Sequence, residues 1–267
     1  MKALVTYVPP LAFALLLGAI TAPAAQRRAP RDRGGTSLLL EVKAEASRLK
    51  TSVARTAVVI RRRCARLRVY CHVRPQAGDG ATRLVLRFST TSDSGRVKRI
   101  LLAEGMEVRA VVSPPNPEPT REYWTRAEAV AAAGAGGDVF PFKVYGKMQT
   151  YIVTERAPIV TGDDVLSAEA VRTSDGTFDD VYEVNYSLRR AGGARLKAWT
   201  SANVGRYVAV VFDGRVVSAP YIKSPIWLDV VISGNFERRD AEDLAIALSA
   251  GNLPARVEML EEKTYRR

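Results

Sequence analysis

The alternation of apolar and polar positions in the first half of the chain predicts six elements in the order strand, helix, strand, strand, helix, strand. Apolar residues spaced by three and four, from Ala46 to Leu67, form one stripe on a long helix. The strands are predicted at Thr36–Val42, Leu67–Val73, Thr82–Phe88 and Met106–Val112. Two split βαβ motifs in this order are typical of a ferredoxin-like sandwich, which Met106–Val112 is expected to close.

The second half shows a different pattern. It predicts a strand at Val181–Leu188, a helix over roughly 190–201, and a type I′ hairpin in which Asp213 and Gly214 are flanked by β-branched residues. Pro220 ends the second hairpin strand because proline has no N–H to donate. A last helix stops at Gly251 and a closing strand follows. The predicted fold class is α+β: a ferredoxin-like base unit, then a second α+β subdomain with antiparallel strands and two helices.

These elements suggest four regions. Residues 1–25 have Lys2, an apolar run and Ala22-Pro23-Ala24, the features of a secretory signal peptide. An uncleaved anchor is the alternative, because Ala3–Ala25 is long enough to span a bilayer. The base is predicted at 31–113, a proline-rich linker or insertion at 114–150, and the second subdomain with its closing strand at 151–264. Whether the N-terminal segment is a cleaved signal peptide or an uncleaved anchor, the sequence predicts a protein of the periplasm or of the periplasmic face of the inner membrane. Membrane contact is then expected only through the N-terminal segment.

Charge is unevenly distributed. The chain has a net charge of +12, and 20 Lys/Arg stand against 7 Asp/Glu between Gln26 and Val112. A basic half fits nucleic acid, anionic lipid or acidic polypeptide. Export argues against nucleic acid, and so does the lack of an aromatic stacking pattern on the strands. Five cations on the first helix are expected to be a solvated face: Lys50, Arg55, Arg61, Arg62 and Arg63.

Candidate chemistry is sparse. Cys64 and Cys71 fit either a disulfide in an oxidising compartment or two buried free thiols. His72 is the only histidine, and no nucleophile elbow, metal-spaced cluster or phosphate loop is present. The acidic pairs at 161–164 and 178–180 are interpreted as helix and turn caps. We therefore predict no enzyme activity, no cofactor and no metal.

One set of motifs resembles a known family. A glycine-alanine helix ending in threonine, an Asp-Gly hairpin, a Ser-Ala-Pro turn and an Ala-Gly-x-Leu-Pro segment occur in the order and spacing of the first periplasmic domain of SecD, a subunit of the bacterial protein-export machinery. An N-terminal glycine pair fits as well. The resemblance covers about residues 31–264, with Arg31 where the family usually has an aspartate. Its positions, expected to be mainly structural, are Gly34, Gly35, Gly192, Thr200, Asp213, Gly214, Ser218, Ala219, Pro220, Gly234, Gly251, Leu253 and Pro254.

The resemblance implies a protein that assists Sec-dependent translocation across the inner membrane and binds emerging, unfolded polypeptide. It also implies membrane subunits of the Sec translocon as partners. Members of the family continue past the segment that ends here at Thr264 into transmembrane helices, so this chain is expected to lack a proton-conducting membrane part of its own. The alternative is a periplasmic protein-interaction module that reuses the fold outside the translocon.

Binding a polypeptide requires apolar contact groups, free strand edges, or both. Trp199, Tyr221 and Trp227 are the candidate contact groups, with core packing as the alternative for all three. The strands near 181–186 and 207–212 are the candidates for free edges.

Overall fold

The computed structural model describes residues 34–76, 82–89, 93–112, 122–145, 148–173 and 181–265. The predicted signal segment, the proline run of the linker and the acidic pair at 178–180 lie outside the described residues. The described residues belong to one compact unit. No helix in the described ranges is long and apolar enough to cross a bilayer.

The described elements are strands and α-helices in mixed order. The helices are α1 (Leu49–Leu67), α2 (Ser94–Leu102), α3 (Arg126–Ala133), α4 (Arg190–Ala202) and α5 (Arg238–Ala250). The strands are β1 (Gly35–Lys43), β2 (Cys71–Pro75), β3 (Arg83–Ser89), β4 (Met106–Val111), β5 (Gly137–Tyr145), β6 (Met148–Thr161), β7 (Val165–Thr173), β8 (Val181–Leu188), β9 (Val208–Phe212), β10 (Arg215–Ser218), β11 (Asp229–Phe236) and β12 (Arg256–Tyr265).

The base contains a four-stranded antiparallel sheet in the order β12-β1-β3-β2, with α1 and α2 packed on it. This is the strand arrangement of a ferredoxin-like sandwich, but the closing strand is β12. The prediction that Met106–Val112 closes the unit is wrong, because β4 pairs with β9 and β6 in another sheet. The alternation of apolar and polar residues in β4 predicted a strand but did not show which strands it pairs with. The residues of β12 are largely exposed and charged, as expected of an edge strand.

The remaining strands form two sheets. One has the order β10-β9-β4-β6-β5 and the other the order β11-β8-β7. The α+β class is confirmed, and so is the hairpin: Asp213 and Gly214 have φ values of 50° and 73°, as a type I′ turn requires. Helix α5 packs against β7 and β8 on one side and against α1 and α2 on the other.

Helix α1 buries two of its faces. The predicted apolar stripe, which includes Val53, Ile60 and Cys64, packs into the base core. A second buried row on the same helix consists of Ser52, Thr56, Val59 and Arg63. The prediction that Arg63 belongs to a solvated face is therefore wrong, since its side chain is 0% exposed.

The two cysteines form a disulfide bond that joins α1 to the start of β2. Between them, Arg68 takes the left-handed conformation at the helix C-cap, and its N–H donates to the carbonyl of Ala65. Of the two alternatives left open by the sequence, the structure has the disulfide. This bond fixes a short turn between the helix and the strand.

Candidate functional site

The family-motif residues near the end of α5 meet two other turns of the chain. The side chain of Asn252 accepts a hydrogen bond from the N–H of Met106 at 2.9 Å and donates to the carbonyl of Met106 at 3.1 Å. Its neighbour Leu253 donates its N–H to the carbonyl of Glu104 at 2.9 Å, and its side chain is buried in the base core. The motif therefore attaches the end of α5 to the turn between α2 and β4.

The hairpin tip reaches the same turn. Asp213 donates its N–H to the carbonyl of Gly105 at 3.1 Å, and its carboxylate accepts from the N–H of Glu104 at 3.0 Å. We call the group of Arg63, residues 104–106, Asp213, Gly214 and residues 251–254 the junction. Gly214 and Pro254 also line an open cleft of about 400 Å³ beside it.

Arg63 is the buried centre of the junction. One guanidinium nitrogen, Nη1, donates to the carbonyls of Ile100, Leu101 and Ala103 at 3.1, 3.2 and 2.5 Å. The other, Nη2, donates to the carbonyl of Gly251 at 3.1 Å. These carbonyls belong to the C-terminal ends of α2 and α5, which attract a cation. Burial lowers the pKa of Arg63 to about 10, and the charge of Asp213 opposes that shift.

A second ion pair connects the same helices. Arg96 of α2 donates through Nε to the carboxylate of Asp243 of α5 at 2.7 Å, and both side chains are mostly buried. The hydrogen bond to Asp243 is the main reason that the pKa of Arg96 is raised. The spacing of apolar residues along the sequence did not identify Arg63, Arg96 or Asn252 as residues of this site. The signal that could have drawn attention to Asn252 is its place inside the Ala-Gly-x-Leu-Pro segment, between Gly251 and Leu253.

Helix α4 holds the second group of motif residues. A Cβ added to Gly192 would lie 2.6 Å from the Cβ of Asp164, so only glycine permits this close approach. The hydroxyl of Thr200 donates to the carbonyl of Leu196 at 2.8 Å and accepts from the N–H of Ile226 at 2.9 Å. Both residues fix α4 against neighbouring segments, and a ligand is not needed to explain either one.

Replacing Thr200 by valine is expected to lower the free energy of unfolding by about 1–2 kcal/mol, because the N–H of Ile226 then loses its acceptor. Denaturant unfolding monitored by circular dichroism measures the change. The neighbouring exposed Ser201 supplies the control, Ser201→Ala, for which a change within about 0.5 kcal/mol is expected. Equal losses in the two variants would contradict the assigned role.

The other motif positions lie elsewhere. The hydroxyl of Ser218 donates to the carbonyl of Ser233 at 2.7 Å, and the carbonyl of Pro220 accepts from the N–H of Val208 at 3.1 Å. A Cβ at Gly234 would lie 2.8 Å from the ring of Phe236. Ala219 is partly buried against one of the clusters of hydrophobic core residues. Gly34 precedes β1, and Gly35 is the first residue of that strand and packs closely on Tyr265.

Of the three candidate contact aromatics, Trp199 lies in α4, and Tyr221 and Trp227 lie in the segment between β10 and β11. Trp227 is 53% exposed, and the ammonium of Lys197 lies 5.0 Å from its ring centroid. Tyr221 is 38% exposed and contacts the ring of Tyr207 edge to face. Trp199 is half-buried against the core under the guanidinium of Arg206. Two of the three rings are thus available at the surface.

The predicted free edges are not free. Strand β8 lies between β11 and β7, and β9 lies between β10 and β4, so both candidate strands are internal. The prediction failed because an alternating apolar pattern does not show how many neighbouring strands a strand has. The strands at the ends of the second and third sheets are β10, β5, β11 and β7.

The described residues give no support for a metal centre. No group of three or more His, Cys, Asp or Glu side chains with metal-binding geometry occurs among them. In the acidic pair at 161–164, the carboxylate of Asp164 accepts from the N–H of Thr161 at 2.9 Å. That contact is the cap proposed from the sequence.

Comparison with known proteins identifies the second subdomain. The family model described as "SecDF, P1 head subdomain" matches residues 138–255. The chain is 32% identical over 210 residues to a protein translocase subunit SecD of Koribacter versatilis, covering 77% of this chain and 37% of that protein. It is 35% identical over 115 residues to a SecD of Aquifex aeolicus, covering 42% and 22%. The chain thus spans well under half the length of these relatives.

Solved structures show the same fold. The crystal structure of SecDF in its super-membrane-facing form has a TM-score of 0.64 at 21% identity, over 91% of this chain and 32% of that one. A structure of the membrane component SecDF, described as enhancing protein export, has a TM-score of 0.62 at 22% identity, over 84% and 98%. These structures show the fold, and the family model with the SecD relatives shows that the chain carries a P1 domain of the SecD family.

Proposed function

We propose that the chain assists protein translocation across the inner membrane, works at its periplasmic face, and has no catalytic activity. The observation that carries the proposal is the match of residues 138–255 to the P1 head subdomain, within a longer similarity to proteins named as translocase subunits. The membrane subunits of the translocon are the proposed partners.

We further propose that the head binds extended, unfolded polypeptide next to α4. Trp227 and Tyr221 offer exposed rings there, and large aromatic groups supply much of the affinity in protein recognition. Lys197 lies over the ring of Trp227 and Arg206 over the ring of Trp199, so cations accompany the aromatic groups of this region. The division into a base, a linker and a second subdomain is also a proposal, with β4 assigned to the second sheet and β12 to the base.

The test of function is a crosslinked pull-down of the tagged chain from its native cells, read by mass spectrometry. Enrichment of translocon subunits over an unrelated periplasmic control supports the proposal. Their absence, with other envelope proteins in their place, overturns it in favour of an interaction module that uses this fold outside the translocon.

The test of the binding site uses the purified chain and a labelled, unfolded polypeptide. Trp227→Ala is expected to weaken binding about tenfold, as for an exposed aromatic anchor. The control is Trp124→Ala, which removes another tryptophan that is 56% exposed. Fluorescence anisotropy measures both affinities, and equal losses in the two variants would exclude the α4 region as the binding site.

A further inference from the structure

A cleft between α1 and the second subdomain is lined by arginines. Its volume is about 280 Å³, and its lining residues include Arg55, Arg62 and Arg189. Asp163 is the only acidic residue that the described part of the chain contributes to its wall. Three arginines against one aspartate leave an excess of positive charge in the cleft. We call this space and its lining residues the arginine cleft.

Two elements bring the three arginines to the same place. Arg55 and Arg62 are two turns apart in α1 and therefore lie on one face of that helix. Arg189 is the N-cap residue of α4, and its N–H donates to the carbonyl of Asp164 at 2.7 Å. This hydrogen bond holds the start of α4 against the turn that carries Asp163, which also lines the cleft.

The charge of the arginine cleft is poorly compensated within the molecule. Arg55 lies 3.8 Å from Asp163, but both side chains are more than half exposed, so water and salt screen this pair. Arg62 and Arg189 are exposed too, and neither has an acidic partner among the residues that the structure describes. Their guanidinium groups are therefore available to an anionic group from outside the chain.

Apolar side chains lie between the arginines. Val58 and Val59 stand between Arg55 and Arg62 on α1 and line the cleft together with Val165 of β7. Val59 and Val165 are buried, whereas Val58 is 42% exposed. An inorganic anion would leave the apolar groups without a contact. An extended polypeptide can instead present an acidic side chain to the arginines and an apolar one to the valines.

The arginine cleft is close to the polypeptide site proposed next to α4. The N–H of Gly193 donates to the carbonyl of Arg189 at 2.9 Å, so these two residues are one turn apart on the same face of α4. Gly193 packs on Trp227, because a Cβ added to it would lie 3.1 Å from a ring carbon of that tryptophan. One turn is about 5 Å long, a length that two residues of an extended chain can span.

We propose that the arginine cleft binds acidic side chains of an extended polypeptide, and that the protein therefore prefers segments in which Asp or Glu stands near apolar residues. Guanidinium groups suit this ligand because they can donate two parallel hydrogen bonds to one carboxylate. The inference rests on the proposed binding of polypeptide next to α4 and adds a preference among polypeptides to it.

The test compares two labelled, unfolded peptides of equal length and equal apolar content, one with glutamate at the positions where the other has glutamine. Fluorescence anisotropy measures the affinity of the full chain for each peptide, and the ratio of the two affinities is the preference for acidic segments. Arg62→Gln with Arg189→Gln is expected to reduce this preference about fourfold, at about twofold for each exposed charge contact. Raising the salt concentration from about 50 to about 500 mM should also reduce it, because salt screens exposed charges.

The matched control is Arg87→Gln with Arg215→Gln, which removes the same charge from exposed positions that do not line the cleft. Circular dichroism checks that each variant is folded. The inference is overturned if the unchanged chain binds both peptides equally, or if the two double variants lose the same preference. It is also overturned if the peptides bind equally while inorganic phosphate raises the Tm of the unchanged chain but not of Arg62→Gln with Arg189→Gln, since the cleft would then take a small anion.

Failure of the inference can be told apart from failure of the proposed function. If the glutamine peptide binds as tightly as the glutamate peptide, and Trp227→Ala weakens both, the polypeptide site next to α4 stands and the acidic preference does not. If neither peptide binds, the proposed polypeptide binding is wrong and the inference fails with it.

Discussion

Replacing Arg63 by alanine is expected to lower the free energy of unfolding by about 3–5 kcal/mol, with a fall in Tm on the order of 10 °C. The variant leaves the carbonyls of Ile100, Leu101, Ala103 and Gly251 without the donor that they share. It also opens a cavity where α1, α2 and α5 meet. Thermal and denaturant unfolding of the purified chain measure the loss.

The burial of Arg63 has a cost that reduces this effect. Lowering its pKa from 12.5 to about 10 corresponds to roughly 3 kcal/mol of lost solvation. Four hydrogen bonds from a charged donor, at about 1.5 kcal/mol or more each, outweigh that cost. This cost to the free energy of unfolding depends on pH. The folded state binds the proton of Arg63 less tightly than the unfolded state does, so the cost decreases as pH rises above about 10.

Arg62→Ala is the control for this variant, because the neighbouring side chain is exposed. Its stability should stay within about 0.5 kcal/mol of the unchanged chain. A loss below 1 kcal/mol for Arg63→Ala would show that the four carbonyls find other donors, and the assigned role of Arg63 would then be wrong.

The second large effect is expected at Gly105. Substitution by alanine should cost about 3–4 kcal/mol, because its φ of +139° is reserved for glycine and the side chain has no room. A Cβ there would lie 2.0 Å from Oδ1 of Asn252, the atom that accepts from the N–H of Met106. The substitution therefore displaces the amide that joins α5 to β4. Denaturant unfolding again supplies the measurement.

Gly136→Ala is the matched control for Gly105→Ala. A Cβ at Gly136 would meet no atom within 4 Å, so its effect should be close to zero or slightly stabilising. If the two alanine variants were equally stable, neither the backbone conformation of Gly105 nor its contact with Asn252 would matter for the fold.

Local elements followed closely from the sequence. The span predicted for Val181–Leu188 is that of β8, and the predicted helix over roughly 190–201 is α4. The Asp213-Gly214 hairpin was readable because its two residues must take positive φ, which few residue pairs tolerate. Such signals are local in the chain, so a single sequence contains them.

The sequence did not show which strands pair with one another. The pattern of β4 is that of a buried strand, which fits either sheet equally well. The structure places β4 between β9 and β6 and brings β12 from the far end of the chain to complete the base. The same limitation explains why β8 and β9 were taken for free edges. Pairing depends on residues far apart in sequence, and alternation carries no information about them.

The sequence by itself determined the α+β class, the order of most elements, the two chemically consistent states of Cys64 and Cys71, and the family to which the domain belongs. Only the tertiary structure decided that the base is closed by β12 and that Arg63 is buried. The reason is physical: the second buried row of α1 contains Val59 of the apolar core as well as polar residues, and at Arg63 it faces the C-terminal ends of two helices. Carbonyl groups at the ends of α2 and α5 make that site suitable for a cation, and they come together only when the chain is folded.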